Sequence, residues 1–148
     1  MGITIKVIGL NKAMNNIEQY LERKKRSLLG VVAQTSTAIQ QTAKQLAPVD
    51  MGELKADIIS TVIERKHSIS GDVLSAAPYS AYVEFGARPH WTSVKNLEGW
   101  ADRHGISPYA VQYSIAKKGT PAQPFLGPAA LKEKNNFIRG VKIVMSTP

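Results

Sequence analysis

Between Lys12 and Ala47 the side chains that favour burial recur at steps of three, four or seven. Ile17, Leu21, Leu28, Val32, Thr35, Ile39, Ala43 and Leu46 therefore fall on one stripe of a helix. Glu18, Glu22, Arg23, Lys24, Arg26, Gln34 and Gln41 lie mainly elsewhere, and Glu22 with Arg26 makes a favourable i,i+4 pair. The stretch holds no proline and only Gly30 as a break. A continuous helix of this length spans about 50 Å at ~1.5 Å per residue. That is more than one small sheet covers, so either Gly30 bends the helix or its first half projects toward another subunit. Pro48 stops it by removing a donor and disfavouring helix at Ala47.

Elsewhere the period is shorter. Ile3, Ile5 and Val7 alternate with Thr4, Lys6 and Ile8, which predicts a strand over 3–8, closed by Gly9, with Asn11 as the N-cap of the long helix. Asp50-Met51-Gly52-Glu53 has capping-box spacing and predicts a single turn ending near Ala56. Residues 57–66 and 68–76 alternate as two strands of an antiparallel hairpin, with Arg65-Lys66-His67-Ser68 as its turn. Val94, Leu97, Trp100 and Ala101 mark a short helix closed by Gly105. Ser107-Pro108 opens another, which runs to Gly119. Gly127-Pro128 begins a last helix that Gly140 ends, and Val141, Ile143 and Met145 alternate like a final strand. The fold class is α+β: a long N-terminal helix packed on a small antiparallel sheet, with a two-helix insertion at 92–119 and a C-terminal helix. The whole chain, 1–148, reads as one domain.

Two segments stand apart from both periods. Ala77-Pro78-Tyr79-Ser80-Ala81-Tyr82-Val83-Glu84-Phe85-Gly86 and Pro121-Ala122-Gln123-Pro124-Phe125-Leu126-Gly127-Pro128-Ala129 are short, aromatic and bracketed by Pro and Gly. Such composition marks fixed junctions between elements. Tyr79, Tyr82 and Phe85 are candidates for packing or for presentation to a neighbour, as are Pro124, Phe125 and Leu126. Glu84 sits between Val83 and Phe85, where an unpaired carboxylate is costly to bury. Arg88 reaches it if the segment is helical, giving a salt bridge that fixes the turn; the alternative is a charge contact across a subunit interface.

Composition narrows the function. Hydrophobic residues make up 43% and charged residues 20%, which fits a globular chain rather than a disordered one. The net charge is +8 and uneven: from residue 103 onward seven cations face one acid, Glu133. This admits an anionic partner, or simply a solvated basic face. Arg23-Lys24-Lys25-Arg26 is a second basic run, but without interleaved aromatics it makes a poor nucleic-acid patch. Without cysteine, disulfides, Cys-ligated zinc and Cys nucleophiles are excluded. No apolar run approaches the ~20 residues of a membrane span, and the N-terminus lacks signal-peptide and myristoylation patterns. A soluble, intracellular chain with no membrane contact is expected. His67, His90 and His104 lie outside metal-ligand spacing, and no nucleophile elbow, Walker or dinucleotide glycine pattern occurs. Asp50 and Glu53 serve a cap, while Glu98 and Asp102 are exposed. The chain is read as neither an enzyme nor a cofactor or metal protein.

Three motifs in order carry a resemblance: Ala47-Pro48-Val49-Asp50-Met51-Gly52-Glu53-Leu54-Lys55-Ala56, then the Ala77–Gly86 segment, then Lys117-Lys118-Gly119-Thr120 with Pro124-Phe125-Leu126-Gly127-Pro128-Ala129. Together they resemble the tail-completion, or head–tail joining, minor structural proteins of long-tailed phages. That family usually has Thr where this chain has Met51 and Ala87, departures that touch a turn and a cap. The resemblance implies a non-enzymatic virion component at the neck or proximal tail, made in the host cytoplasm and assembled as a homo-oligomeric ring, six-fold by the tail's symmetry. It implies head-closure or connector proteins and tail terminator or tail tube proteins as partners, and a passing contact with phage DNA. The competing readings are a basic nucleic-acid-binding module and, last, a toxin or small hydrolase.

Overall fold

The computed structural model describes residues 10–147, with side chains from Met14. Six helices and one hairpin follow in order: α1 (Leu10–Leu46), α2 (Glu53–Ala56), β1 (Ile58–Arg65), β2 (Ser68–Ser75), α3 (Ser80–Phe85), α4 (Lys95–Arg103), α5 (Pro108–Lys118) and α6 (Leu126–Ser146). The strand expected at 3–8 lies outside the described residues. Asn11 falls inside α1 and so is not its cap.

β1 and β2 pair antiparallel from Ile58↔Ser75 to Arg65↔Ser68, leaving Lys66 and His67 as the turn. Because side chains alternate, Ile58, Ser60 and Val62 turn inward together with Ile69, Gly71 and Val73. That face lies on α1. Gln40 ties helix to sheet, donating from Nε2 to the Ile58 carbonyl (2.8 Å) and accepting from the Ser60 hydroxyl (2.9 Å). At the hairpin tip Lys25 pairs with Glu64.

α6 packs along α1 in the opposite direction. Phe125 and Ala129 share the core with Ala43 and Ala47, Gly140 lies against Val31, and Lys24 reaches the Val144 and Thr147 carbonyls. The expected break at Gly140 and strand after it are therefore wrong: α6 runs unbroken through Gly140 to Ser146. Phe137, Gly140, Val141 and Val144 step at helical spacing through the stretch where Val141, Ile143 and Met145 alternate, and an α1 partner selects the helix. Gly140 is placed for close approach, since a Cβ there would sit 2.9 Å from Val31 Cγ1.

The core is small. It comprises Ala43, Ala47, Leu54, Ile58, Ala77, Phe125 and Ala129, and among the described residues only Phe125 and Ile58 are large side chains wholly out of solvent. The stripe read from the sequence is buried at Val32 and Ala43 and half-buried at Leu28, Thr35 and Ile39. Ile17 and Leu21, toward its start, are more than half exposed. α1 passes Gly30 without interruption, and its first half stands exposed.

The capping box fails for a geometric reason. The residue preceding α2 is Gly52, at φ 86°, so Asp50 is two positions too early and makes no cap. It instead accepts two hydrogen bonds from the Arg103 guanidinium.

Replacing Gly140 with Val should destabilise the chain by about 1–3 kcal/mol through overpacking. Adding Val31→Ala should recover much of the loss, as read by the urea midpoint of the helical circular dichroism signal.

Candidate assembly site

The two Pro/Gly-bracketed segments meet. α3 is a short helix, so Glu84 points away from the exposed side of Tyr82 and Phe85 and is itself only 8% accessible. Its carboxylate accepts from the backbone N–H groups of Phe125 (2.7 Å), Leu126 (2.9 Å) and Gly127 (2.8 Å). These are the opening amides of α6. The next residue, Pro128, has no N–H to satisfy. Every donor that a helix start normally leaves orphaned is thus either bound by Glu84 or missing. The expected salt bridge from Glu84 to Arg88 does not form. α3 stops at Gly86, whose φ of 73° turns the chain away, and Arg88 lies beyond it, exposed.

Burial pushes the Glu84 carboxyl up, but the three amides outweigh it and hold the group below its ordinary 4.5. The favourable placement of an anion at a helix N-terminus acts in the same direction.

Beside this cap the backbones are clasped together. Ala87 N–H donates to the Thr120 carbonyl (3.0 Å), Thr120 N–H donates back (2.9 Å), and Gln123 N–H donates to the Val83 carbonyl (2.8 Å). Gly86 and Gly119 flank the clasp, both at positive φ. A Cβ on Gly119 would stand 2.0 Å from the Ala87 carbonyl oxygen, and one on Gly86 2.7 Å from that of Thr120. Both positions need glycine twice over, for conformation and for space.

The eight candidate residues divide accordingly. Phe125 is wholly buried in the core and Leu126 packs against it, so neither ring nor side chain is available to a neighbour as an exposed anchor. Glu84 is the buried fastener between the segments. Tyr79, Tyr82 and Phe85 are exposed, Phe85 by 79%, and Arg88 and Pro124 lie exposed near them. Tyr79 also lines a cleft of about 810 Å³ between the α1–α2 junction and the α4–α5 pair, with Met51, Leu97 and Trp100. Burial, helped by the charges of Glu53, Asp57 and Asp50, raises the Tyr79 phenol above its usual range and keeps it neutral. Asp50 and Arg103 bridge two walls of this cleft. The Arg103 hydrogen bond lowers the Asp50 carboxyl despite partial desolvation.

Sequence reasoning missed several exposed aromatics: Trp91, just before the insertion, and Tyr109 and Tyr113 on α5 are each more than 60% accessible. The helical spacing of the two tyrosines does not separate outward from inward rings. The Asp50–Arg103 pair joins residues 53 apart and leaves no local signal. The histidines are all engaged locally or exposed. His104 stacks on Trp100 with ring centroids 4.1 Å apart, and His90 Nδ1 lies 2.8 Å from the Arg88 carbonyl. Among the described residues no group of three His, Asp or Glu is arranged to hold a metal ion, and no helix is long and apolar enough to cross a membrane.

A protein-family model described as "Bacteriophage HK97-gp10, putative tail-component" matches residues 9–86. The chain belongs to this HK97-gp10-like family. The match runs from α1 to Gly86, so it takes in the long helix, the hairpin and Glu84 but stops at the clasp. The family is one of phage tail components, the broad class that the three motifs resemble. No curated protein and no solved structure matches the chain.

Glu84→Gln should lower stability by about 1–3 kcal/mol at neutral pH, since the amide brings N–H groups to face N–H groups. The sign with pH follows from a depressed carboxyl. The stabilisation is present above 4.5, the ordinary value, and is lost as pH falls through the lower folded value. Denaturant titrations from pH 7 to pH 3 should therefore show an acid-side loss in the wild type that is reduced in Glu84→Gln.

Proposed function

We propose that this chain is a tail-completion or head–tail joining subunit that assembles as a ring at the neck or proximal tail of a long-tailed phage. The observation that carries the reading is the aromatic edge of α3, where Tyr82 and Phe85 stand in solvent above a rigid support. Glu84, Phe125 and Leu126 hold that support from beneath, while Tyr79, Arg88 and Pro124 border the contact. Exposed apolar surface on an immobile base suits a permanent protein neighbour, because no ordering cost remains to be met on binding. Repeated head-to-tail contacts of this kind close as a ring when the rotation between copies permits.

In this reading the whole chain, 1–148, acts as one tail-completion-like domain, and 92–119 is a helical insertion on it. The ring contacts head-closure or connector proteins on one side and tail terminator or tail tube proteins on the other. It is non-enzymatic, is built in the host cytoplasm and ends in the virion. Six copies match the tail's symmetry. The basic final third, with Lys132, Arg139 and Lys142 exposed on α6, supports a passing, salt-sensitive contact with DNA in transit.

The test is a phage lacking this gene, complemented with wild type or with Tyr82→Ser/Phe85→Ser. Negative-stain images should show full heads and tails unjoined in the null, with joined particles reduced at least tenfold in the double variant. Normal numbers of joined virions in the null would overturn the assignment.

A further inference from the structure

A second exposed surface lies along the first half of α1, away from α3. Every described side chain from Met14 to Arg23 is exposed, and within this segment Met14, Ile17 and Leu21 are each more than half accessible. The stripe continues C-terminally into a groove of about 510 Å³ between α1, the hairpin tip and the end of α6. Leu28, Val32, Ile69 and Phe137 line it with apolar surface, and Arg65, Lys66 and His67 stand along its hairpin side.

The charges on this groove are unevenly committed. Lys24 donates to the Val144 and Thr147 carbonyls and Lys25 pairs with Glu64. Arg65 and Lys66 make no ion pair among the described residues and are exposed. A fitting occupant carries apolar side chains at helical spacing, flanked by carboxylates. Residues 14–22 of this chain are such a segment, with Glu18 and Glu22 exposed beside the Ile17 and Leu21 stripe. Tyr20 and Leu21 form one edge of the groove in their own protomer, but α1 is unbroken from Leu10 to Leu46, so the segment cannot fold back to fill it.

We propose that two copies pair antiparallel through residues 14–28 of α1. Each lays Met14, Ile17 and Leu21 over the other's groove and sets Glu18 and Glu22 toward the partner's Arg65 and Lys66. A two-fold axis makes the contacts reciprocal, so one surface serves as both donor and receptor. Apolar burial supplies the attraction, and the segregation of acid and base along the helix selects antiparallel over parallel pairing. The contact is independent of the chain's place in the tail.

Sedimentation equilibrium of the purified full chain tests it. The wild type should form a dimer whose population rises with concentration. Leu21→Glu, at an exposed position that leaves the fold intact by circular dichroism, should weaken the dimer tenfold or more. Glu18→Lys/Glu22→Lys and Arg65→Glu/Lys66→Glu should each weaken it about tenfold at low salt, and less at high salt. The four changes together should restore wild-type affinity. A chain that stays monomeric at all concentrations overturns the pairing, as does a fourfold variant no tighter than either double. Larger oligomers that ignore Leu21→Glu would also overturn it while leaving the ring reading intact.

Discussion

The fold hangs on the two ends of α6. A 21-residue helix presents partial positive charge at its start and partial negative charge at its end, and each end here meets a side chain of the opposite sign. Glu84 holds the first amides and Lys24 reaches the last carbonyls, so residues 60 apart in the chain bracket one helix. The Glu84 contact does more than satisfy donors. It sets where α6 begins, which seats Phe125 among Ala43, Ala47 and Ile58, and it holds α3 with its aromatic side outward. The Lys24 contact sets where α6 stops covering α1, and hence how much of α1 stands clear.

That arrangement leaves a protomer with little interior and much apolar exterior. Among the described residues two large side chains are wholly buried, whereas aromatic and aliphatic residues stand in solvent on α3, on α5 and in the first half of α1. A monomer made to act alone would gain from burying them. Surfaces of this size on a rigid frame are ordinary where the folded unit is a part of something larger. The family of phage tail components to which the chain belongs is consistent with such a part.

The sequence made the elements legible wherever one period dominated. The long helix, the hairpin with its Lys66-His67 turn and the two insertion helices appear close to their expected bounds, because each has a clear stripe or alternation and a Pro or Gly at its edge. Legibility failed where two periods coincided, as after Gly140, where packing on α1 decided between them. It failed again where a polar side chain served a distant element. Asp50 and Glu84 both carried plausible local roles, capping and an i,i+4 pair, and both were recruited across more than forty residues instead. The Ala77–Gly86 and Pro121–Ala129 segments share a composition that marks junctions, but nothing in it says that they meet or names the carboxylate that joins them.

The clasp between Ala87 and Thr120 has a consequence for how such chains diverge. The backbone leaves the body at one residue and returns at another already hydrogen-bonded to it, so α4 and α5 form a closed detour. Closing that detour adds little entropy cost when its length changes, since the cost grows only with the logarithm of loop length. The detour is thus the segment most free to be shortened, enlarged or exchanged while the frame on either side stays put. Its outward rings, Trp91, Tyr109 and Tyr113, are correspondingly free to track a changing neighbour, and the glycines at its neck are not.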